Sequence, residues 1–596
     1  MYVINNKGVI YMFKLFKNLT KKELLLVILS FILILIQVWL ELKMPDYMSE
    51  ITVLVQTQGS SMSDIIKNGL YMLLCAFGSL ISAVFVGYII ANISATFSLI
   101  TRKKLFDKVE NLAMHEVKQF STSSLITRTT NDITQVEMLI GMGLQLLIKA
   151  PITAIWAITK ILNKSWEWSA LTAAAIVILL SVIITLIIIV MPKFKIVQKL
   201  IDKLNGVTRE NLTGIRVVRA FNAEDYQEEK FNDINNKLTK QQLFNQKTFA
   251  IMSPVMYLVM HFLTLFIYFI GAYLIKDALI IDKIIIFGDM VVFSSYAMQV
   301  IMSFLMLAMI FIVLPRASVS AKRINEVLDT DISIKDGNIS KSKEIGTVEF
   351  KNVSFKYPDA EEYILKNISF KANRGEIVAF IGSTGSGKST LINLVPRFYD
   401  VTEGEVLVDG VNVKDYKQDI LHQKLGYVPQ KAVMFNGTVT SNVSYGDSGK
   451  EITDKKIKEA IKVAQGSEFV EKLDDKYESH IAQGGTNISG GQKQRLAIAR
   501  AIARDPEIYI FDDSFSALDY KTDAVLRKEL KKYTKDATSL IVAQRIGTIM
   551  NADKIIVLDN GECVGMGTHK ELLKKCKVYK QIALSQLSKE ELENEK

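Results

Sequence analysis

The sequence predicts two dissimilar halves: an α-helical unit of six long membrane-crossing spans, then an α/β domain carrying a smaller antiparallel β subdomain. Three observations carry that reading. Six apolar runs lie near 24–42, 69–100, 136–162, 167–191, 251–276 and 286–314. Each is long enough for a hydrocarbon core of about 30 Å, which takes roughly 20 helical residues. From Val348 the pattern changes to short β-like stretches with turns, and a glycine-rich loop follows one of them.

At 596 residues the chain is too long for one ordinary domain, and 49% of it is hydrophobic, a shift towards the membrane class. The net charge of +10 would suit a nucleic-acid binder only with a basic stripe on a soluble face. Here the lysines and arginines flank apolar runs instead, which argues for a membrane face and against nucleic acid. Cys75, Cys563 and Cys576 form no C-x-x-C pair, so neither a disulfide framework nor a zinc site is indicated. No small-x-small cleavage site follows the first apolar run, which therefore reads as a span rather than a signal peptide. Met12 is an alternative start of the chain.

Charge placement orients the spans. Lys14, Lys17, Lys21 and Lys22 precede the first, Arg102, Lys103 and Lys104 follow the second, and Lys193, Lys195, Lys199 and Lys203 follow the fourth. Both termini are therefore expected in the cytoplasm. Spans two and six run directly into basic, helix-compatible sequence, so their helices should continue beyond the bilayer. The connections 101–135 and 192–250 are each long enough for a helical hairpin. Met290, Met298, Met302, Met306 and Met309 recur along span six; ordinary helix packing is the favoured reading, an adaptable substrate-lining face the other. Glu41 and His261 are ionisable groups at apolar runs, to which no substrate role is assigned. Composition turns polar between about 316 and 346. The expected organisation is a membrane domain over 1–320, a linker at 321–346, a nucleotide domain at 347–585 and a charged tail at 586–596.

In the second half, Val348–Phe355 alternates, and Asp409-Gly410 between two valine-rich runs is a hairpin signature. Glu376–Ile381, Glu507–Phe511 and Ser539–Ala543 read as buried strands. The loop comprises Gly382, Ser383, Thr384, Gly385, Ser386, Gly387, Lys388, Ser389 and Thr390, with helix-like sequence following at Leu391–Val395. Strand, glycine loop and helix aim backbone N–H groups and a helix dipole at polyphosphate. Lys388 is placed for the outer phosphates and the Ser389 hydroxyl for Mg²⁺. Asp512, at the end of an apolar strand, offers Mg²⁺ a carboxylate. The chain is read as binding a nucleoside triphosphate.

Asn487-Ile-Ser489-Gly490-Gly491-Gln492-Lys-Gln-Arg495 matches the signature motif of ATP-binding-cassette (ABC) proteins. Over nearly its whole length the chain resembles half of a bacterial ABC exporter, with a six-span exporter-type membrane domain fused to one P-loop nucleotide-binding domain. Soluble members of the superfamily lack the spans. The resemblance implies that Tyr357 stacks on adenine, that Gln430 contacts Mg²⁺ and the membrane-domain interface, and that Ser516, Ala517, Leu518 and Asp519 form the D-loop. It also implies pairing. Ser489, Gly490, Gly491 and Gln492 would contact the ATP of a partner's site, and the connections 101–135 and 192–250 would resemble the family's intracellular loops.

Three positions depart from the family pattern. Asp513 stands where a water-polarising glutamate is expected, Gln544 where a histidine contacts the γ-phosphate, and Gln483 where a glutamate is usual. The set resembles the degenerate-site subunit of a heterodimeric exporter, whose partner would carry Glu and His at the matching positions. The expected activity is ATP-driven export of an amphipathic drug, lipid or peptide across the bacterial plasma membrane, with membrane lipids around the spans. No peptidase-like domain precedes span one, which argues mildly against a peptide-processing exporter. The alternatives are a homodimeric exporter with slow sites and an ATP-gated regulator or channel.

Overall fold

The computed structural model describes residues 6–17, 19–57, 59–162 and 166–587. Residues 588–596 of the expected charged tail lie outside them. The chain divides into two compact units, one from residues 1–110 with Ser123–Thr330, the other from Asn111–Thr122 with 331–596.

The first unit is all helix. A short helix, Asn6–Phe16, begins upstream of Met12, and the Tyr11 carbonyl accepts a bond from Asn325 Nδ2 at 3.0 Å. Among the described residues six helices are long and apolar enough to cross a membrane: Lys21–Gln56, Met62–Glu110, Thr122–Leu162, Trp166–Thr213, Glu224–Lys276 and one over Asp282–Leu307. The apolar runs marked only part of each. The second span's helix has 49 residues, roughly 74 Å at 1.5 Å per residue. The backbone ladder continues into polar sequence because helical hydrogen bonding does not require apolar side chains.

Each span buries one face. Ile34, Val38 and Leu42 of the first pack with Val86, Trp168, Phe293 and Tyr296, while Leu25, Ile28, Phe31 and Ile32 lie exposed on its other side, as a lipid-facing surface requires. Of the methionines on span six, Met290 is core, whereas Met302 and Met309 are exposed. His261 stacks on Tyr257 at 6.4 Å between ring centroids.

Glu41 is paired inside the bundle. Its Oε1 accepts from Lys149 Nζ at 2.9 Å, Gln37 Nε2 at 2.9 Å and Ser79 Oγ at 3.2 Å. One turn further along span one, Asp46 takes Lys160 Nζ at 2.6 Å and lies 2.5 Å from the Tyr296 hydroxyl. Charges in apolar surroundings are tolerable only when compensated in this way.

The described residues of the second unit form twelve strands in chain order: β1 (Val348–Phe355), β2 (Leu365–Ala372), β3 (Ile377–Gly382), β4 (Glu403–Val408), β5 (Val411–Asn412) and β6 (Leu425–Val428). After them come β7 (Gly437–Thr438), β8 (His480–Ile481), β9 (Ile508–Asp512), β10 (Thr538–Val542), β11 (Lys554–Asp559) and β12 (Glu562–Gly567). A six-stranded sheet runs β12-β11-β3-β10-β9-β6, and a four-stranded antiparallel sheet runs β2-β1-β4-β5. Within the larger sheet β6, β9, β10, β3 and β11 are parallel. All five residues of β9 and of β10 are buried, which explains their unbroken apolar character. The expected hairpin is β4–β5, and its turn has φ +53° at Asp409 and +72° at Gly410, the double left-handed conformation such turns need. Asp409 is also tied down, accepting from Thr347 N at 2.9 Å and from Lys424 Nζ at 2.7 Å.

Breaking the Glu41 network should be costly. Lys149→Met leaves a carboxylate in the apolar bundle and should destabilise the protein by about 3–5 kcal/mol, whereas adding Glu41→Gln should recover most of the loss. Thermal unfolding in lipid discs reads both; an unchanged midpoint for Lys149→Met would show that the pair contributes nothing.

Candidate nucleotide site

Parallel strands deliver their carboxyl ends to one edge of the sheet, and that edge is where the loops carrying chemistry collect. β3 ends in Gly382, β9 in Asp512 followed by Asp513, β10 is followed by Gln544, and β6 by Gln430. Residues separated by more than 160 positions are thereby neighbours.

The loop 382–387 turns directly into a helix, Lys388–Asn393, three residues earlier than the sequence pattern marks. Gly387 is the residue before that helix and adopts φ +93°, a conformation that costs glycine nothing. A Cβ at Gly382 would lie 2.0 Å from the Leu558 carbonyl oxygen, so β11 leaves room only for glycine there. Ser383, Thr384 and Gly385 are exposed at the crest, Ser386 is buried, and Lys388 folds back onto the loop. Its ammonium donates to the carbonyls of Gly382 at 2.9 Å and Ser383 at 2.7 Å. Burial pulls the Lys388 pKa down, against the pull of the Asp513 and Asp512 charges.

Ser389 Oγ donates to Asp512 Oδ1 at 2.7 Å, which puts a hydroxyl and a carboxylate side by side. This pair of oxygen donors fits a hard cation such as Mg²⁺. Both aspartates are buried, and burial raises the pKa of each above the ordinary carboxylate value. Asp513 sits at φ +46°, a left-handed conformation that aspartate tolerates better than most residues. Its Oδ2 accepts from Gln544 Nε2 at 2.7 Å and more loosely from Gln430 Nε2 at 3.4 Å. The Gln544 carbonyl in turn accepts from Gln586 Nε2 at 2.7 Å. Beside this pair is a cavity of about 10 Å³, lined by Asp513, Ser516, Gln544 and Arg545 among others, with room for about one water.

Tyr357 lies against the loop's far end, its hydroxyl 3.0 Å from Thr390 Oγ1. Phe355 and Tyr399 meet its ring edge-on, with centroids 5.0 and 5.2 Å away. Ser489, Gly490, Gly491 and Gln492 are elsewhere, at the start of the helix Gly490–Ala503, with Ser489 and Gly490 exposed. Among the described residues no hydrogen bond joins them to 382–390. Ser489 and Gln492 form a reciprocal capping box: Ser489 N donates to Gln492 Oε1 at 2.8 Å, and Gln492 N to Ser489 Oγ at 3.3 Å. Nearby, Ser516 and Ala517 are exposed and Leu518 is buried. Asp519 caps the helix Tyr520–Tyr533, accepting from Thr522 N at 2.9 Å. Gln483 is exposed.

The motif residues Tyr357, Lys388, Ser389, Gln430, Asp512, Asp513 and Gln544 therefore converge on one edge, while the signature segment presents itself outward. Sequence reasoning missed one neighbour of Tyr357. Lys118, on the short helix Met114–Gln119, belongs to the second unit and lies over the Tyr357 and Tyr399 rings. Only its place in a basic connection marked it.

Two family models match the chain: the ABC transporter transmembrane region over residues 24–304 and the ABC transporter model over 365–516. An uncharacterized ABC transporter ATP-binding protein of Mycobacterium tuberculosis (strain ATCC 25618 / H37Rv) is 39% identical over 519 residues, 86% of each chain. The chain belongs to the ABC transporter family. An ATP-dependent lipid A-core flippase of Pseudomonas aeruginosa is 32% identical over 490 residues, covering 82% of this ABC transporter and 79% of the flippase. In fold, the transporter is similar to a bacterial Atm1-family ABC exporter with ATP bound, at TM-score 0.79 and 23% identity, covering 94% of this chain and 98% of that one. It is thus a multi-pass membrane protein of exporter-type fold, with an ATPase domain that couples ATP hydrolysis to transport.

The capping box gives the signature a structural duty that can be separated from chemistry. Gln492→Ala removes one of the two reciprocal bonds and should cost about 0.5–2 kcal/mol, whereas Gln492→Glu keeps the box and should leave stability within about 0.5 kcal/mol of wild type. Thermal unfolding of the full chain distinguishes the two variants.

Proposed function

We propose that this ABC transporter is the degenerate-site half of a heterodimeric exporter in a bacterial plasma membrane, with its nucleotide-binding domain and both termini in the cytoplasm. The observation that carries the reading is the 2.7 Å bond between Gln544 Nε2 and Asp513 Oδ2. Two of the three residues that depart from the family pattern engage each other. An aspartate at 513 ends about 1 Å or more short of where a glutamate carboxylate would act, by the length of one C–C bond. A displacement of that order can cost on the order of 10²-fold in rate. A glutamine at 544 donates hydrogen bonds but carries no positive charge to a γ-phosphate.

In this reading ATP lies along Gly382–Thr390, with its base against Tyr357 and Lys388 at the outer phosphates. Ser389, Asp512 and Gln430 would hold Mg²⁺, which neutralises charge on the transferring phosphoryl group. Asp513 and Gln544 make this site slow. Ser489, Gly490, Gly491 and Gln492, at a helix N-terminus whose first two residues are exposed, would complete the site of a second half-transporter carrying Glu and His at the matching positions, with Ser516–Asp519 lying between the two sites. A membrane domain over 1–320, a linker at 321–346 and a nucleotide domain at 347–585 complete the assignment. An amphipathic cargo is favoured, and the lipid A-core flippase among the relatives supports one of lipid type.

ATPase turnover of the chain purified alone in lipid, beside the chain co-expressed with its neighbouring half, tests the proposal. Negligible turnover alone and robust turnover together is the expected result; brisk turnover alone returns the chain to a homodimer. In the complex, Asp513→Glu with Gln544→His should raise turnover while leaving assembly intact. No gain would mean that something other than these two residues limits the site.

A further inference from the structure

The short helix Met114–Gln119 comes from the connection between spans two and three, yet it is folded into the nucleotide unit. Three contacts seat it there. Glu116 is buried; its Oε2 caps its own helix by accepting from Ala113 N at 2.5 Å, and its Oε1 accepts from Ser333 N at 3.3 Å. His115 Nδ1 lies 3.7 Å from Asp359 Oδ2, two residues beyond Tyr357. Lys118 Nζ lies 5.4 Å from the centroid of the Tyr357 ring and 5.6 Å from that of Tyr399, in the corner where the two rings meet at 87°.

Those distances are within cation–π range for both rings. The Tyr399 side chain holds the Lys118 pKa above the ordinary lysine value, against the pull of burial. Lys118 is therefore charged throughout the neutral range. The Tyr357 ring is held at its hydroxyl by Thr390, at its edges by Phe355 and Tyr399, and by this cation. A base stacks well only on a ring whose plane is fixed, and base–aromatic stacking contributes about 1–3 kcal/mol.

We propose that Lys118 is a positioning residue of the nucleotide site: its ammonium backs the Tyr357 ring, so that the segment joining spans two and three sets the plane on which the base of ATP stacks. The inference rests on the reading of Tyr357 as the base platform. It adds to that reading a route by which base occupancy and the seating of residues 113–119 depend on each other. Linkage is reciprocal: if the seated helix improves base binding, the bound base stabilises the seated helix by the same factor. Polyphosphate without a base occupies the glycine loop and leaves this route untouched.

The test compares equilibrium binding of ATP and of inorganic tripolyphosphate, both with Mg²⁺, to the full-length chain in lipid discs. Lys118→Met should raise the Kd for ATP about two- to fivefold, the range of an exposed cation–π contact, and leave that for tripolyphosphate unchanged. Lys118→Arg should restore wild-type affinity. Amide hydrogen exchange in 113–119 should slow with ATP and not with tripolyphosphate, and Lys118→Met should abolish that difference. Equal losses for both ligands, or no loss for ATP, would overturn the proposal. Tyr357→Ala separates the two layers. If it weakens ATP selectively and Lys118→Met does not, only the role of Lys118 fails; if it spares ATP, the base platform itself is wrong.

Discussion

Five strands run parallel through the nucleotide sheet and end at one edge, and the reactive side chains of the second half depend on that edge. The constraint is topological before it is chemical. Parallel strands need crossover connections, so the chain leaves each strand at the same side and returns on the other. Gly382, Gln430, Asp512 and Gln544 share no local pattern, yet each lies at or just after the carboxyl end of a strand in this sheet. Burial of β9 and β10 on both faces makes the edge rigid. It also removes water from around Asp512 and Asp513, whose carboxyls titrate high for that reason. The same burial lowers the Lys388 pKa, so acid and base are held in one poorly solvated place where a polyphosphate and its cation would bring balancing charge.

The membrane unit meets the opposite problem. Within its apolar spans, buried charged groups are held by partners from other spans. Towards its far end span one carries Glu41 and Asp46, and span three answers each with a lysine, Lys149 for Glu41 and Lys160 for Asp46. Tyr296 of span six adds a hydroxyl to the second pair. Such networks add little net stability over apolar packing, but removing one member leaves a charge with no compensation. They specify which spans are neighbours, which apolar faces alone do not.

What could be read in the sequence follows from this difference. The glycine loop, the strand ending in Asp512, the signature segment and the Asp409–Gly410 turn are each written in a few consecutive residues, because their geometry is set by local backbone. The six spans were legible as composition, and the continuation of helices two and six was legible in the helix-compatible sequence after them; the exact ends were not, since hydropathy records lipid contact and not hydrogen bonding. Gln37, one helical turn from Glu41, is a local partner, but the charged one could not be found: Lys149 is 108 positions away and no periodicity links them. Lys118 was hidden for the same reason. A lysine in a basic connection resembles its neighbours until the fold lays it over two tyrosines.

Asp513 and Gln544 illustrate how two substitutions become one feature. Asp513 emerges from β9 in a left-handed conformation that aims its short side chain across the edge, and Gln544 follows β10, the adjacent strand. An amide donor reaches the carboxylate at 2.7 Å, and glutamine itself has no proton to lose. A histidine there would donate or accept according to its tautomer and would carry charge when protonated, so its hold on the acid would vary with the state of the site. With glutamine the donor carries no charge, and the Asp513 carboxylate is held without being neutralised by a cation at that position. Together they form one hydrogen-bonded pair at the edge where the neighbouring strands β9 and β10 end.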